Sequence, residues 1–245
     1  MAVLDIEFRS EVIGLDTGVK VIMPHRTDKP AKVIYLLHGL QGNRNCWIRE
    51  TDIFHMADDF AIIMPEVGRS FYTDTVTGQK YFTFISEEIP QVVGSVLNIS
   101  KKREDTFSMG YSMGGYGAVK LALRCPDKIR AAVSLSGVLG LGFGAGGGKK
   151  PPQNHEWSWV FGTELRHEDD VAALAADLAD KPEIRPKLFF SCGTEDFLYK
   201  GNVLYKNHLE KIGYPFIYEE FPGEHPAGCT DERIKKGIDF IKSLC

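Results

Sequence analysis

The chain has 245 residues, 43% hydrophobic and 25% charged, enough to bury the core of a single α/β domain. Its 29 Lys and Arg against 33 Asp and Glu leave a net charge of −4. Without a basic block this argues against nucleic acid as a partner. No segment approaches the ~20 apolar residues that span a bilayer. Met1–Glu7 carries acids where a signal peptide has bases, so a cytoplasmic chain with no membrane partner is expected.

In chain order, Ala2 to Ile13 alternates apolar and polar residues, as an antiparallel edge strand does. Val19–Pro24 reads as a second strand, and the nearly all-apolar Lys32–Leu37 as one buried on both faces. Cys46–Asp59 reads as a helix and Ala61–Met64 as another buried strand. Tyr81–Ile99 has helical periodicity with a kink or break at Pro90. Asp105–Met109 is a short strand, Met113–Arg124 a helix and Ala131–Leu135 a strand.

The stretch from Gly140 to Trp159 is glycine-rich, then basic, then proline-rich and aromatic. It reads as an irregular insertion over the site, about 139–167 in all, running into a helix over Glu168–Leu178. Lys187–Ser191 (strand), Tyr199–Ile212 (helix), Phe216–Phe221 (strand) and Glu232–Leu244 (helix) complete the chain. This alternation predicts a mostly parallel sheet of about eight strands with helices on both faces. One domain spanning 1–245 is expected. The five cysteines are scattered without C-x-x-C spacing, as reduced thiols in a cytosol are. The Asn98-Ile-Ser100 sequon then carries no meaning.

The most informative motif is Gly110-Tyr-Ser-Met-Gly114, a G-x-S-x-G between a strand and a helix. Such a turn lifts the serine hydroxyl above the sheet. An α/β-hydrolase fold then places an acid and a histidine later in the chain, in that order. Cys192-Gly-Thr-Glu-Asp196 follows one strand and Pro222-Gly-Glu-His225 follows the next. The sequence therefore nominates Ser112 as nucleophile, His225 as base and Asp196 as the acid that orients it, with Glu195 as the adjacent rival. His38-Gly-Leu-Gln-Gly42 follows the buried strand to Leu37. Leu40 N–H, or Gly39 N–H in its place, together with Met113 N–H are the expected oxyanion donors. His38 is expected to hold this loop by hydrogen bonds. Phe71, Tyr72, Trp157 and Trp159, with Gly39, are the candidate substrate-binding residues, the alternative for the four aromatics being that they pin the insertion onto the core.

With Leu37-His-Gly-Leu40, Trp47, Ser70-Phe-Tyr-Thr-Asp74, Glu87-Glu88, Gly110 to Gly117, Cys192 to Tyr199 and Pro222 to His225, the chain resembles the esterase D-like α/β-hydrolases. These include tributyrin, feruloyl and acetyl-xylan esterases and S-formylglutathione hydrolases. The resemblance, strongest to the tributyrin esterases, implies Ser112, Asp196 and His225 as a triad and a small-molecule carboxylic ester as substrate. It departs at Pro226-Ala-Gly228, where the group often carries an acidic or polar residue and then tryptophan. That departure suggests a more open site beside the base.

Gly142 to Gly147 matches G-x-G-x-x-G, but Lys149-Lys-Pro-Pro152 follows where a dinucleotide site needs a helix. No cofactor and no metal site is expected. The expected reaction is hydrolysis of short-chain or aromatic acyl esters through an acyl-enzyme. S-formylglutathione hydrolysis, acyl transfer and a non-catalytic binding protein are the alternatives. Self-association is compatible with the sequence.

Overall fold

A computed structural model describes residues 1–25, 28–56, 59–143 and 155–245. Eight strands form one sheet in the order β1-β2-β4-β3-β5-β6-β7-β8. They are β1 (Ala2–Arg9), β2 (Asp16–Met23), β3 (Lys32–Leu37), β4 (Phe60–Pro65), β5 (Thr106–Tyr111), β6 (Ala131–Leu135), β7 (Lys187–Gly193) and β8 (Phe216–Phe221). The β1–β2 and β2–β4 pairs are antiparallel, and every later pair is parallel. The apolar runs of β3 and β4 are buried, as strands covered on both faces require. β1 at the edge is alternately exposed and half-buried, matching its alternating sequence.

One layer of helices comprises α1 (Cys46–Glu50), α2 (Ile53–Met56) and α9 (Asp231–Ser243), whose Trp47, Ile53, Ile234 and Ile238 share a core with Phe107 and Val133. The opposite layer contains α4 (Ile89–Val96), α5 (Met113–Arg124), α7 (Val171–Leu178) and α8 (Tyr199–Lys211). The chain leaves β3 toward β4 on one side and returns to β5 on the other. The strand order therefore reverses at β3, and a crevice opens at the carboxyl ends of β3 and β5, where α/β sheets hold their sites. Among the described residues no helix is long and apolar enough to cross a membrane.

Four elements differ from the sequence reading. The helix expected over Cys46–Asp59 divides into α1 and α2, because Thr51 is extended and its hydroxyl bonds the Trp47 carbonyl. The Tyr81–Ile99 segment ends at Val96 and is three pieces: α3 (Tyr81–Thr83), a π-helical turn (Phe84–Glu88) and α4. Pro90 has no N–H for the carbonyl four residues earlier, at Ser86. That carbonyl instead lies 3.5 Å from Lys128 Nζ. The insertion read as irregular contains α6 (His155–Phe161). Val160 and Phe161 are buried, and Trp157 and Phe161 stack with ring centroids 5.3 Å apart, an i, i+4 apolar face. Residues 144–154, including most of the glycine-rich and Lys-Lys-Pro-Pro stretch, lie outside the described residues. Lastly, Glu168 and Asp169 belong to a 3₁₀ turn (His167–Asp169) rather than to the helix, which starts at Val171.

Asp170 caps α7, its Oδ1 accepting from Ala172 N at 2.9 Å and Ala173 N at 3.3 Å. Asp170→Ala is expected to cost about 1 kcal/mol, which for a chain of this size lowers Tm by about 2–4 °C. Thermal melts followed by circular dichroism check this. An unchanged Tm would mean that burial of Val171, Leu174 and Ala175 alone fixes the helix start.

Candidate active site

Ser112 sits between β5 and α5 with φ 56° and ψ −119°, a conformation L residues rarely adopt. The turn is possible because its flanks lack side chains. A Cβ at Gly110 would strike the Gly114 carbonyl, and one at Gly114 would strike the Leu37 carbonyl. Ser112 N–H donates to Leu135 O on β6 at 2.9 Å, tying the strained residue to the sheet.

Asp196 follows β7 and His225 follows β8, and adjacent strands carry them to Ser112. His225 Nδ1 is 2.8 Å from Asp196 Oδ2, and His225 Nε2 is 3.0 Å from Ser112 Oγ. Burial pushes the Asp196 carboxyl up, but hydrogen bonds from His225 and from Leu198 N–H outweigh it and hold it below the ordinary carboxylate value. An ionised carboxylate only accepts, so His225 Nδ1 carries the proton and Nε2 turns its lone pair to the serine hydroxyl. Glu195, the rival acid, faces elsewhere. It accepts from Thr194 Oγ1 at 2.8 Å and from Gly223 N–H, and so anchors the turn that leads to His225.

Two rings that the sequence reading did not single out pack against the imidazole of His225. Tyr111 stacks on it with centroids 4.9 Å apart, and its hydroxyl donates to the His225 carbonyl at 3.0 Å. Phe197 stands against it at 4.5 Å and is 76% exposed. Both lay inside quoted motifs, one residue before Ser112 and one after Asp196. The signal was their adjacency to the triad.

Leu40 shares a cavity lining with Ser112, and Met113 follows the serine in the chain. Met113 is the first residue of α5, so its N–H has no acceptor within the helix. Among the described residues nothing accepts from Leu40 N–H. Gly39 approaches Ser112 closely, since a Cβ there would lie 3.6 Å from the Ser112 Cβ. His38 Nδ1 bonds the Gly39 carbonyl at 2.8 Å, and Val67 N–H lies 3.3 Å from Nε2. Burial holds His38 below its ordinary value, as a neutral ring in this tautomer. A cavity of about 620 Å³ opens beside Ser112, with Gly39, Leu40, Trp47, Tyr111, Phe197 and His225 among its lining.

Phe71, Tyr72, Trp157 and Trp159 do not line this cavity. Phe71 and Tyr72 both have φ 52° and turn inward. Phe71 packs against Trp157 at 4.8 Å and Phe161 at 5.5 Å, and Tyr72 is buried over Gly117 of α5. Trp159 is 63% exposed. After the histidine, Pro226 and Cys229 line the cavity, whereas Gly228 is packed against Ser136 and leaves no space there.

Comparison with known proteins agrees with this geometry. The esterase family model, described as "Putative esterase", matches residues 10–211. His225 lies beyond that match and is joined to the site by its contacts. An acetyl esterase of Caldicellulosiruptor saccharolyticus is 32% identical over 267 aligned residues, covering 100% of this chain and 99% of that one. A solved Staphylococcus aureus fluorophosphonate-binding serine hydrolase is 33% identical with TM-score 0.86, covering 98% of each chain. The S. aureus S-formylglutathione hydrolase is 31% identical with TM-score 0.83, also covering 98% of each. The chain belongs to this esterase family, and its fold is the α/β-hydrolase fold.

Asp196→Asn is expected to lower kcat by about 10⁴-fold, and Glu195→Gln only slightly. Steady-state kinetics on an activated ester check both, and a reversed order would make Glu195 the acid. Because Asp196 ionises below the ordinary carboxylate value, its stabilising contribution is present above that ordinary value and is lost as pH falls through the lower folded one. The stability gap between wild type and Asp196→Asn is therefore expected to be wide at neutral pH and to narrow as the pH is lowered below the ordinary carboxylate value. Urea melts over a descending pH series measure it.

Proposed function

We propose that this protein is a serine carboxylesterase acting on short-chain or aromatic acyl esters. The observation that carries the reading is His225 held 2.8 Å from Asp196 and 3.0 Å from Ser112, above a serine on a strained turn. Ser112 Oγ attacks the ester carbonyl carbon while its proton passes to His225 Nε2. The carbonyl oxygen gains the negative charge and is held by Leu40 and Met113 N–H. The intermediate collapses as His225 returns the proton to the leaving alkoxide oxygen, leaving the acyl group on Ser112. Water then attacks the acyl carbon, giving a proton to His225, and this second intermediate collapses as His225 returns the proton to Ser112 Oγ, breaking the Ser112–acyl bond and releasing the carboxylic acid. Asp196 keeps the ring oriented and stabilises the imidazolium in both halves.

The cavity supports an uncharged substrate. Leu40, Trp47, Tyr111, Phe197 and Pro226 give it apolar walls, and Glu50, paired with Arg49, is the one carboxylate among the described residues that line it. Neither Lys nor Arg is among the described residues that line it. Among the described residues that line the cavity, a glutathione thioester, with two carboxylates and one ammonium, has no Lys or Arg to pair with. The second reading, S-formylglutathione hydrolysis, draws on the 31% identity to an enzyme of that name. The five cysteines are free thiols, in keeping with a reducing, cytoplasmic setting and a small-molecule partner.

Ser112→Ala is expected to abolish turnover and fluorophosphonate labelling with Tm unchanged, since glycines rather than the hydroxyl make the turn. Turnover within tenfold of wild type would remove Ser112 as nucleophile. In competition, kcat/KM for 4-nitrophenyl acetate or methyl ferulate is expected to exceed that for S-formylglutathione. The opposite order would select the thioesterase reading.

A further inference from the structure

We infer that Tyr72 is a positioning residue for the Leu40 N–H, and that the buried Lys120–Asp169 pair holds Tyr72 in place. The inference rests on the reading of Leu40 N–H as an oxyanion donor.

The argument begins with one peptide plane. The Gly39 carbonyl and the Leu40 N–H belong to the same trans peptide and point opposite ways. Whatever fixes the carbonyl therefore aims the N–H. Gly39 O accepts from His38 Nδ1 at 2.8 Å and from Gly42 N–H at 2.9 Å. The preceding carbonyl, His38 O, accepts from the Tyr72 hydroxyl at 2.8 Å. Both peptides around Gly39, the residue with the widest backbone freedom, are thus pinned.

Tyr72 has no direct route to substrate. It is fully buried, absent from the cavity lining, and lies flat against the backbone of α5, where a Cβ at Gly117 would meet its ring. Its hydroxyl oxygen reaches the site only through His38 O. Nor is its position the chain's relaxed one. Phe71 and Tyr72 are consecutive non-glycine residues at φ 52°. Such a pair persists only when its surroundings over-determine it.

Lys120 supplies that constraint. Its Nζ donates to Phe71 O at 3.3 Å and to Thr73 Oγ1, on either side of Tyr72. The ammonium pairs with Asp169 Oδ1 at 3.1 Å, both side chains being fully buried. Arg166 closes the network on Asp169 Oδ2 at 2.7 Å and donates to the Asp74 carbonyl. The aromatic face of α6 covers Phe71 from the other direction. A buried ion pair is weak evidence for stability, since apolar groups of the same shape often serve as well. Here its donors act on a strained segment whose next hydrogen bond reaches the oxyanion loop.

The test is Tyr72→Phe, which removes one oxygen and keeps the ring on Gly117. On 4-nitrophenyl acetate, kcat is expected to fall about 10–100-fold, less than the loss of a whole donor. KM should stay within twofold and Tm within a few degrees. Affinity for an alkyl boronate, which forms a tetrahedral adduct on Ser112, should fall in step with kcat. Lys120→Met should shift kcat and boronate affinity in the same direction per folded molecule. Independently of turnover, amide hydrogen exchange at Gly42, whose N–H bonds the Gly39 carbonyl, should quicken about tenfold in Tyr72→Phe. Wild-type kcat and boronate affinity in Tyr72→Phe would overturn the inference. So would an unchanged Gly42 exchange rate, or a fall in Tm with kcat per folded molecule preserved. If wild type itself neither turned over the ester nor reacted with fluorophosphonate, the esterase reading would fall, and the Gly42 exchange rate would still decide whether Tyr72 holds the Gly39 peptide.

Discussion

The site depends on bare backbone meeting bare backbone where β5 turns into α5. Gly110 and Gly114 leave the turn no side chain on the side facing the Leu37 carbonyl at the end of β3. Only at that separation can Ser112 adopt φ 56° and share one crevice with the Gly39–Leu40 loop. The β3–β5 register, Leu37 opposite Gly110, sets where the two loops leave the sheet. The parallel neighbours β6, β7 and β8 then bring Asp196 and His225 to the same end, because every strand after β5 runs in the same direction. Fold and site are one geometric problem, solved by strand direction and by two missing Cβ atoms.

The catalytic side chains were legible because each lies within a few residues of a strand's carboxyl end and in a fixed chain order. Local pattern sufficed for Ser112, Asp196 and His225 as candidates, and contacts then separated Asp196 from Glu195. What stayed hidden depends on pairings distant in sequence. Lys120 follows Val119 in an ordinary helical stretch with nothing local to mark it as buried, and its partner Asp169 lies 49 residues on. Phe71 and Tyr72 read as wall residues because large aromatics in loops suggest binding. Their positive φ, which turns them into the core, has no signature in residue type. The helix in the insertion was masked by the glycine and proline content beside it.

Asp196 and Glu195 show how one peptide step divides two similar groups. Asp196 is buried, so it needs hydrogen-bond donors to remain ionised, and His225 and Leu198 N–H supply them. Glu195 is solvated, and its hydrogen bonds to Thr194 and Gly223 organise the backbone of the histidine loop. The buried carboxylate can stabilise an imidazolium in a medium that screens little. The exposed one could not do so to the same degree.

The same contrast bears on Lys120, whose ammonium is the basic counterpart of Asp196. Burial presses its pKa down to about 8, with Asp169 pulling in the opposite direction. A lysine balanced between these influences is costly for the fold, and nothing in core packing alone requires it. Its donors end on Phe71 O and Thr73 Oγ1, in a segment that helical or strand hydrogen bonding does not stabilise. A methionine could fill the volume, but it has no donor with which to keep two consecutive residues at positive φ. The physical reason for a charge in this core is therefore local and geometric. It lies in the backbone beside Tyr72, one hydrogen bond from the His38 carbonyl.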